Sequence, residues 1–262
     1  MDKLISVIIP TFREPSHLEK CIESLVQGQV NKNEIIVVCD GFIEENREVL
    51  TRWSEYIEVL DMETNQGLPR ATNFGVYAAT NSLVMVINDD NIAPYRWDER
   101  LLEDYKDGIV LTPNQIEPTP SMFKQFYIKD LGRYPETFSL EYFYEQEKII
   151  STTHRGKFGY YIDDTGSTLP FLMSKKDYLM LGGWCEGFPP QGVCADWEFF
   201  MKASMAGLDM IRTYDSHFYH FGSVSTGTDR QEIERQGHEW ARYKWGSYIQ
   251  HENGTNKKYL AG

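Results

Sequence analysis

The sequence predicts an α/β fold with a mainly parallel central sheet flanked by helices. Patterns typical of buried strands and of helices alternate over roughly the first 90 residues, which indicates right-handed βαβ units. The chain has 262 residues, enough for one domain with a full core, and neither a linker nor a repeat divides it. We therefore expect a single domain over 1–262, with 1–110 as its first half, 111–226 as an elaborated second half and 227–262 as a C-terminal helix and tail.

The elements of the first half follow from the hydrophobic pattern. Leu4–Ile9 is an apolar, β-branched run closed by Pro10, which is typical of a buried strand. Ser16 and Glu19 match a capping box, which predicts a helix beginning there. The same reasoning predicts a strand at Glu34–Cys39, a helix at Glu44–Trp53, a strand at Ile57–Leu60, a helix at Pro69–Ala79 with small residues that suit close packing on a sheet, and a strand at Leu83–Ile87.

The second half is less regular. Residues 114–165 are rich in aromatic and charged side chains. After them the pattern predicts a strand at Thr168–Ser174, a turn at Gly182-Gly183, a helix from Asp196 to about Met205 and a last helix over Arg230–Tyr248.

The composition limits the classes of partner. The formal net charge is −13, so a basic surface for gripping nucleic acid is not expected. A nucleotide ligand stays compatible with this charge, because a bound metal can carry the local positive charge. The apolar run near the N-terminus is too short for a signal peptide or a membrane span, and we expect a cytoplasmic protein without one.

Polar side chains follow the predicted strands at the points where the strands end. Thr11, Asp40, Asp89 and Asp90 are the examples, and ligands of such sheets bind at the carboxyl ends of the strands. Asp89 and Asp90 suit a hard cation such as Mg²⁺ or Mn²⁺, although an aspartate-rich turn that caps the next helix gives the same pattern. Asp40 fits either an ordinary turn or a contact with a base or ribose.

Two further segments carry candidate chemistry. Asp196 opens a predicted helix, where a carboxylate either caps the helix dipole or serves as a general base at the same sheet edge. His217 and His220 would point to opposite faces of an extended segment, so one ion cannot bind both without a bend. His220 is the better ligand candidate, because the flexible Gly222 follows it.

The order of these features resembles glycosyltransferase family 2, whose members have the GT-A fold. The resemblance covers residues 4–110 and 168–246. It is carried by Val7–Phe12, by Glu34–Gly41, by Asn65-Gln66-Gly67 with Ala71, Asn73 and Gly75, by Asn88-Asp89-Asp90, by Gly182–Trp184 through Asp196–Glu198, by His220 with Ser223–Thr226, and by Lys244-Trp245-Gly246.

This resemblance implies an inverting, metal-dependent transfer of a sugar from a nucleotide-sugar donor, a UDP-sugar by default, to an acceptor hydroxyl. Asp196 would be the base, and Asp90 with His220 would hold Mn²⁺ or Mg²⁺. The first half would bind the donor, with contacts from Pro10, Thr11, Phe12, Arg13, Asp40, Asn65, Gly67, Arg70, Asn88 and Asp89, and from Lys244 near the C-terminus.

The sequence departs from the family pattern at three positions. Asn88 replaces the first acid of the Asp-x-Asp motif, which makes Asp90 the main metal ligand and leaves Asp89 to assist it or to bind ribose. Thr72 stands where arginine is frequent, and Arg70 is the candidate to neutralise phosphate instead. Ala195 precedes Asp196 where a second acid is common.

Other functions stay open at this point. A nucleotidyltransferase would use a similar layout, but it should show a glycine-rich phosphate loop after the first strand, and residues 11–14 are not one. A catalytically silent module that binds a nucleotide sugar or glycan is the third class, suggested by Asn88. The aromatic rings of 115–161 fit either stacking on sugar faces or the core of an inserted helical hairpin. The acceptor could be a glycan, a lipid-linked sugar, a protein or a modified nucleobase.

Overall fold

The fold is described by a computed structural model, which covers residues 4–120, 126–155, 158–160, 168–188, 192, 195–222 and 230–245. No helix in these ranges is long and apolar enough to cross a membrane.

Strands and helices alternate along the first half, as the sequence predicts. The strands are β1 Ile5–Thr11, β2 Glu34–Cys39, β3 Glu58–Asp61, β4 Leu83–Val86, β5 Asn91–Ile92, β6 Ile109–Glu117, β7 Tyr127–Ile128, β8 Phe158–Tyr160, β9 Phe171–Ser174 and β10 Asp209–His220. The helices are α1 Pro15–Gly28, α2 Ile43–Arg52, α3 Leu68–Ala78, α4 Trp97–Asp104, α5 Leu140–His154, α6 Lys175–Met180, α7 Ala195–Met205 and α8 Arg230–Trp245, with a 3₁₀ turn at Pro135–Thr137.

The strands of the described residues form one sheet of order β3-β2-β1-β4-β9-β6-β10-β5, with β7 beside β6 and β8 beside β10. The strands β3, β2, β1 and β4 run parallel. The strand β9 runs antiparallel to both β4 and β6, and β10 runs parallel to β6. The carboxyl ends of β1, β2, β4, β6 and β10 therefore all lie along one edge of the sheet, here called the carboxyl edge.

Helices cover both faces of the sheet. On β1, Ile8 packs into a cluster that includes side chains of α3 and α7, whereas Val7 and Ile9 pack into a second cluster with α1 and α4. This alternation is the side-chain period of a strand that is buried on both faces.

Helix α3 approaches the sheet closely at Gly75. A Cβ atom at this position would lie 2.5 Å from Cγ2 of Ile8 and 2.9 Å from Cγ2 of Val38. The predicted role of small residues in this helix is thus confirmed, because the distance leaves no room for a methyl group.

The strand β6 is not predicted from the sequence, and Pro113 lies in its middle. Pro113 has no N–H to donate, and it pairs with Thr213 at the point where the register of β10 shifts before His217. The bulge in β10 therefore accommodates a proline in an interior strand.

Three local predictions are wrong. Helix α1 begins at Pro15, so Ser16 lies inside its first turn and is not the N-cap. Proline is favoured at the first helical position, because the N–H that it lacks would have no partner within the helix. The strand expected from Thr168 begins only at Phe171. In the described part of the aromatic segment there is one long helix, α5, and no helical hairpin.

The aromatic side chains of this segment divide between core and surface. Phe138 and Phe143 are buried in a third cluster with Tyr219 of β10, whereas Tyr134 and Tyr142 are exposed. The buried rings therefore belong to the core around β10 and not to a helical hairpin, and the exposed rings are free to contact a sugar.

Candidate active site

The polar side chains at the carboxyl edge contact one another. Thr11, the last residue of β1, donates a hydrogen bond from Oγ1 to Oδ2 of Asp89 at 2.7 Å. Asp89 and Asp90 follow β4, the strand that pairs with β1 on that side. The parallel register thus joins residues that are 78 positions apart in the sequence.

The two carboxylates differ in their electrostatics. Burial and the adjacent charge of Asp90 raise the pKa of Asp89 to about 7, although the hydrogen bond from Thr11 opposes the shift. Burial also works against ionisation of Asp90, but the nearby His220 and His17 outweigh it and lower the pKa of Asp90. Asp90 therefore carries the negative charge of the pair at neutral pH.

His220 completes this cluster from the end of β10. Its Nε2 lies 3.2 Å from Oδ2 of Asp90, and its Nδ1 lies 2.8 Å from Oε1 of Glu117. Burial disfavours the charged imidazolium, yet Asp90 and Glu117 together raise the pKa of His220 to about 10. Without a cation both ring nitrogens therefore carry protons, one bonded to Glu117 and the other facing Asp90. A cation would bind at Nε2 only by displacing the proton there, while Glu117 keeps its hold on Nδ1.

Glu117 is a site residue that the sequence analysis missed. It is the last residue of β6, and β6 pairs with β10 so that Ile116 lies opposite Tyr219, one residue before His220. The rule that polar residues at strand ends form the site would have found Glu117, had β6 been predicted.

The donor set at this cluster fits a divalent cation. Oδ1 of Asp90 is buried and makes no hydrogen bond, so it is available as a ligand. A carboxylate that orients a histidine through its second nitrogen is a common partner of metal ligands. Within the described ranges, no group of three or more His, Cys, Asp or Glu side chains is arranged to hold a metal. A cation here would therefore rely on Asp90 and His220, with phosphate oxygens and water in its remaining positions, as Mg²⁺ often does.

Asp40 organises the backbone beside the cluster. Its two carboxylate oxygens accept hydrogen bonds from the N–H groups of Gln66 at 2.6 Å and Gly67 at 2.8 Å. The predicted donor contacts Asp40, Asn65 and Gly67 are thus brought together at the start of α3, where Gly67 has a φ of +91°. Any contact of Asp40 with a base or ribose would have to compete with these hydrogen bonds.

Phe12 and Arg13, the predicted donor contacts that follow β1, pack against Phe42 in the loop after β2. The guanidinium of Arg13 stacks on the ring of Phe42 at 3.5 Å and reaches the ring of Phe12 at 5.1 Å. Pro10 lies within β1 and pairs with Val38.

Two other predicted donor residues make local contacts. The backbone carbonyl of Asn88 accepts a hydrogen bond from the N–H of Asn91 at 3.2 Å. Arg70 lies 3.7 Å from Glu186 in a half-exposed ion pair, and it also donates to Gln66. The loop before α7 thus lies near the N-terminus of α3.

Asp196 lies in the first turn of α7. Helix α7 ends just before β10 starts, and β10 starts at the edge opposite the carboxyl edge. The first turn of α7 therefore lies at the carboxyl edge. Burial raises the pKa of Asp196 to about 7, although the backbone N–H groups of Trp197 and of Asp196 itself oppose the shift. A carboxylate with such a pKa can exchange a proton at neutral pH, which suits a general base.

Lys244, predicted as a donor contact, has other partners. Its Nζ donates to Oε1 of Glu198 at 2.6 Å, and it lies over the rings of Trp240 and Trp245. These contacts place Lys244 beside α7 and give no support to a contact with the donor.

The two histidines of β10 differ as predicted for an extended segment. His217 is fully buried, contacts Ser151 at 3.0 Å, and has its pKa lowered to about 3, chiefly by burial. His220 alone of the two reaches Asp90. The segment Ser223–Thr226, which belongs to the same family motif, lies outside the described residues.

Comparison with known proteins places this geometry in a family. The model of "Glycosyl transferase family 2" matches residues 6–159, more than half of the chain. The chain belongs to glycosyl transferase family 2. The match includes β1, β2, β4 and the Asp89–Asp90 pair, and it ends before α7 and β10.

Curated members of the family are similar over shorter stretches. The chain is 34% identical over 104 residues to the amylovoran biosynthesis glycosyltransferase AmsE of Erwinia amylovora, covering 37% of this chain and 39% of that protein. It is 31% identical over 81 residues to an Escherichia coli UDP-Gal:alpha-D-GlcNAc-diphosphoundecaprenol beta-1,3-galactosyltransferase, covering 30% of each. The matches thus span well under half of the relatives' own length.

Solved structures of low sequence identity share the fold of this chain. The mannosyltransferase PcManGT from Pyrobaculum calidifontis superposes with a TM-score of 0.63 at 15% identity, covering 99% of this chain and 70% of that one. Residues 1–349 of S. aureus TarS give a TM-score of 0.58 at 16% identity, covering 98% and 69%. The predicted GT-A fold is confirmed.

Proposed function

We propose that this family 2 glycosyltransferase moves a sugar from a nucleotide-sugar donor to an acceptor hydroxyl, with a divalent cation and with inversion at the anomeric carbon. The observation that carries the proposal is the cluster of Asp90, His220 and Glu117 at the carboxyl edge, beside the loop that Asp40 organises. Two neighbours in the fold support it, because PcManGT was solved with GDP-Man and Mn²⁺, and GalNAc-T7 with UDP, GalNAc and Mn²⁺.

In this proposal Asp90 and His220 hold the cation, Mn²⁺ or Mg²⁺. When bound, the cation supplies Lewis-acid stabilisation of the leaving diphosphate. Glu117 orients the His220 ring, and Thr11 holds Asp89 beside Asp90, where Asp89 can assist or bind ribose. We also propose that the donor contacts predicted between Pro10 and Asn88 bind the nucleotide sugar beside this cluster.

Asp196 has the role of general base. It would accept the proton of the acceptor hydroxyl as the oxygen attacks the anomeric carbon and the bond to the diphosphate breaks. Inversion follows in this proposal, because a single displacement at the anomeric carbon reverses its configuration. Above a pH of about 7, Asp196 is in the carboxylate form that this step needs.

The donor base and the acceptor are the least defined parts of the proposal. Uridine is the first choice, and the GDP-Man complex of PcManGT makes guanosine the main competitor. For the acceptor, we propose a glycan or lipid-linked sugar, in line with the name of the E. coli relative. We also propose that 1–110 bind the donor, that 111–226 bind the acceptor, and that 227–262 form a C-terminal helix and tail of one domain.

A calorimetric titration tests the donor and metal parts of the proposal. UDP and GDP are titrated separately into the protein with and without Mn²⁺, and a donor-hydrolysis screen with several nucleotide sugars follows. We expect binding of one nucleotide that depends on Mn²⁺, and sugar release from its sugar derivative. Binding without any release or transfer of sugar would favour a silent binding module. Release of diphosphate from a nucleoside triphosphate would favour a nucleotidyltransferase. No binding at millimolar nucleotide would contradict both the glycosyltransferase and the nucleotidyltransferase.

A further inference from the structure

Helix α7 carries a buried charge that the proposed mechanism does not use. Glu198 lies two residues after Asp196 and is fully buried. With 3.6 residues per turn, two positions apart means nearly opposite sides of the helix. Glu198 and Asp196 therefore face different sides of α7, and Glu198 can influence the base through the helix that carries both.

Two hydrogen-bond donors and one further cation surround the Glu198 carboxylate. Nζ of Lys244 lies 2.6 Å from Oε1, and Nε1 of Trp245 lies 3.3 Å from the same oxygen. Nζ of Lys202 lies 3.4 Å from Oε2. A buried carboxylate without partners would be strongly unfavourable, so these contacts fix the position of Glu198.

The partners come from different places in the fold. Lys202 belongs to α7 itself, one turn after Glu198, and its Nζ also donates to the carbonyl of Gly183 at 2.5 Å. Lys244 and Trp245 belong to the last turn of α8. The bond from Lys244 thus joins two helices, whereas the ion pair with Lys202 stays within one.

The bond from Lys244 adds to apolar packing of α8 on the core, where Ala241 is buried and Trp240 and Trp245 pack against the same cluster. Lys202, Lys244 and Trp245 line a cavity of about 370 Å³ together with residues of the loop before α7. Further back along α8, the ring centroid of His238 lies 5.8 Å from that of Trp197. Helix α8 therefore contacts both Trp197 and Glu198, the two residues that follow Asp196. Helix α8 is therefore placed to hold the first turn of α7.

We propose that Glu198 is a positioning residue, which ties α7 and the base Asp196 to helix α8 through Lys244. The proposal rests on the proposed role of Asp196. It assigns Lys244 to the base side of the site and not to the donor. Loss of the bond between Lys244 and Glu198 should loosen the first turn of α7 and lower the rate of the chemical step. Small displacements of a reacting group can cost roughly 10²-fold in rate.

The test compares two lysines that contact the same carboxylate. Lys244→Met removes the bond between the helices, and Lys202→Met removes an equal charge without cutting it. Lys244→Arg keeps a cation on α8, and Glu198→Gln removes the carboxylate charge. Hydrogen exchange of the amides of 195–200, followed by mass spectrometry, reports on α7 without any need for activity. Rates of sugar transfer give kcat and the donor KM.

We expect Lys244→Met and Glu198→Gln to speed exchange over 195–200 and to lower kcat by roughly 10- to 100-fold with an unchanged donor KM. Lys202→Met should keep the exchange pattern of the natural chain, and Lys244→Arg should largely restore it. If Lys244→Met exchanges like the natural chain, or raises the donor KM alone, the bond between Lys244 and Glu198 does not position Asp196. If Glu198→Gln fails to fold, the two lysine variants still decide. Absence of transfer by the natural chain would refute the proposed function, while the exchange comparison would still test the tie.

Discussion

Replacement of Asp196 by asparagine should remove the base and leave the fold. The side chains have nearly the same shape, but the amide cannot accept the proton of the acceptor hydroxyl. A positioned general base contributes roughly 10²–10⁴-fold in rate, so we expect kcat to fall within that range and the donor KM to stay nearly constant. The transfer rate is measured with saturating donor and acceptor.

The pH dependence of the transfer rate tests the role of Asp196 independently. Since the pKa of Asp196 is about 7, roughly a tenth of the molecules carry the carboxylate at one pH unit below this value and roughly nine tenths at one unit above. The natural chain should therefore lose activity about tenfold per unit as the pH falls below about 6, and Asp196→Asn should lose this limb of the profile. A profile of the variant that keeps the same limb would refute the assignment.

A rise in pH should affect stability in the direction opposite to its effect on activity, through the same carboxyl of Asp196. Its folded pKa lies above the usual value, so the folded state holds a proton between pH 4 and 7 that the unfolded state has released. Stability therefore falls as the pH rises through this window, by at most on the order of 2–4 kcal/mol. Asp196→Asn should raise the free energy of unfolding at pH 8 and leave it nearly unchanged at pH 4.

Asp177 provides a matched control for the alternative in which Asp196 only caps its helix. It also lies in the first turn of a helix, α6, and it is remote from the proposed chemistry. Asp177→Asn should change stability by about 0.3–1 kcal/mol and leave the pH profile intact. If both variants affect activity and stability equally, Asp196 is a helix cap and the base must be sought elsewhere.

Three further predictions follow from single contacts. His220→Ala should abolish the Mn²⁺-dependent part of nucleotide binding in calorimetry while UDP or GDP alone binds as before; equal Mn²⁺ affinity in the variant would contradict the metal assignment. Gly75→Ala should destabilise the fold by about 1–3 kcal/mol in urea unfolding, because its Cβ would overlap Ile8, and an unchanged midpoint would mean that α3 can move away. Asn73→Ala should cost about 2–4 kcal/mol in the same assay, since Oδ1 accepts hydrogen bonds from Trp184 and Tyr178, and a loss below about 0.5 kcal/mol would show that water replaces it.

Local pattern was sufficient for much of the first half. The run before Asp40 is a strand with the predicted bounds, because continuous β-branched residues suit strands buried on both faces. The run before Pro10 is also a strand, but it continues through Pro10 and ends two residues later than predicted, at Thr11. The expectation that strand-end residues form the site also holds in part, since Thr11 and Asp89 are in contact. That contact follows from parallel pairing of β1 with β4.

Prediction failed where a tertiary contact overrides the local pattern. Pro113 argues against an interior strand, and only the bulge of β10 opposite it makes β6 possible. Without β6 there was no reason to consider Glu117. Lys244 was predicted from its motif to contact the donor, and its pairing with Glu198 depends on how α8 packs on α7, which no local signal reports.

The sequence by itself determined the βαβ order, the edge of the sheet that carries the polar residues, and the residue types available there. Those properties depend on hydrophobic period and on turn residues, which act over a few positions. The tertiary structure alone decided that Glu117 holds His220, across 103 positions, and that Glu198 joins α7 to α8. Such contacts depend on strand register and helix packing, which are set by the whole core and not by the residues that make the contact.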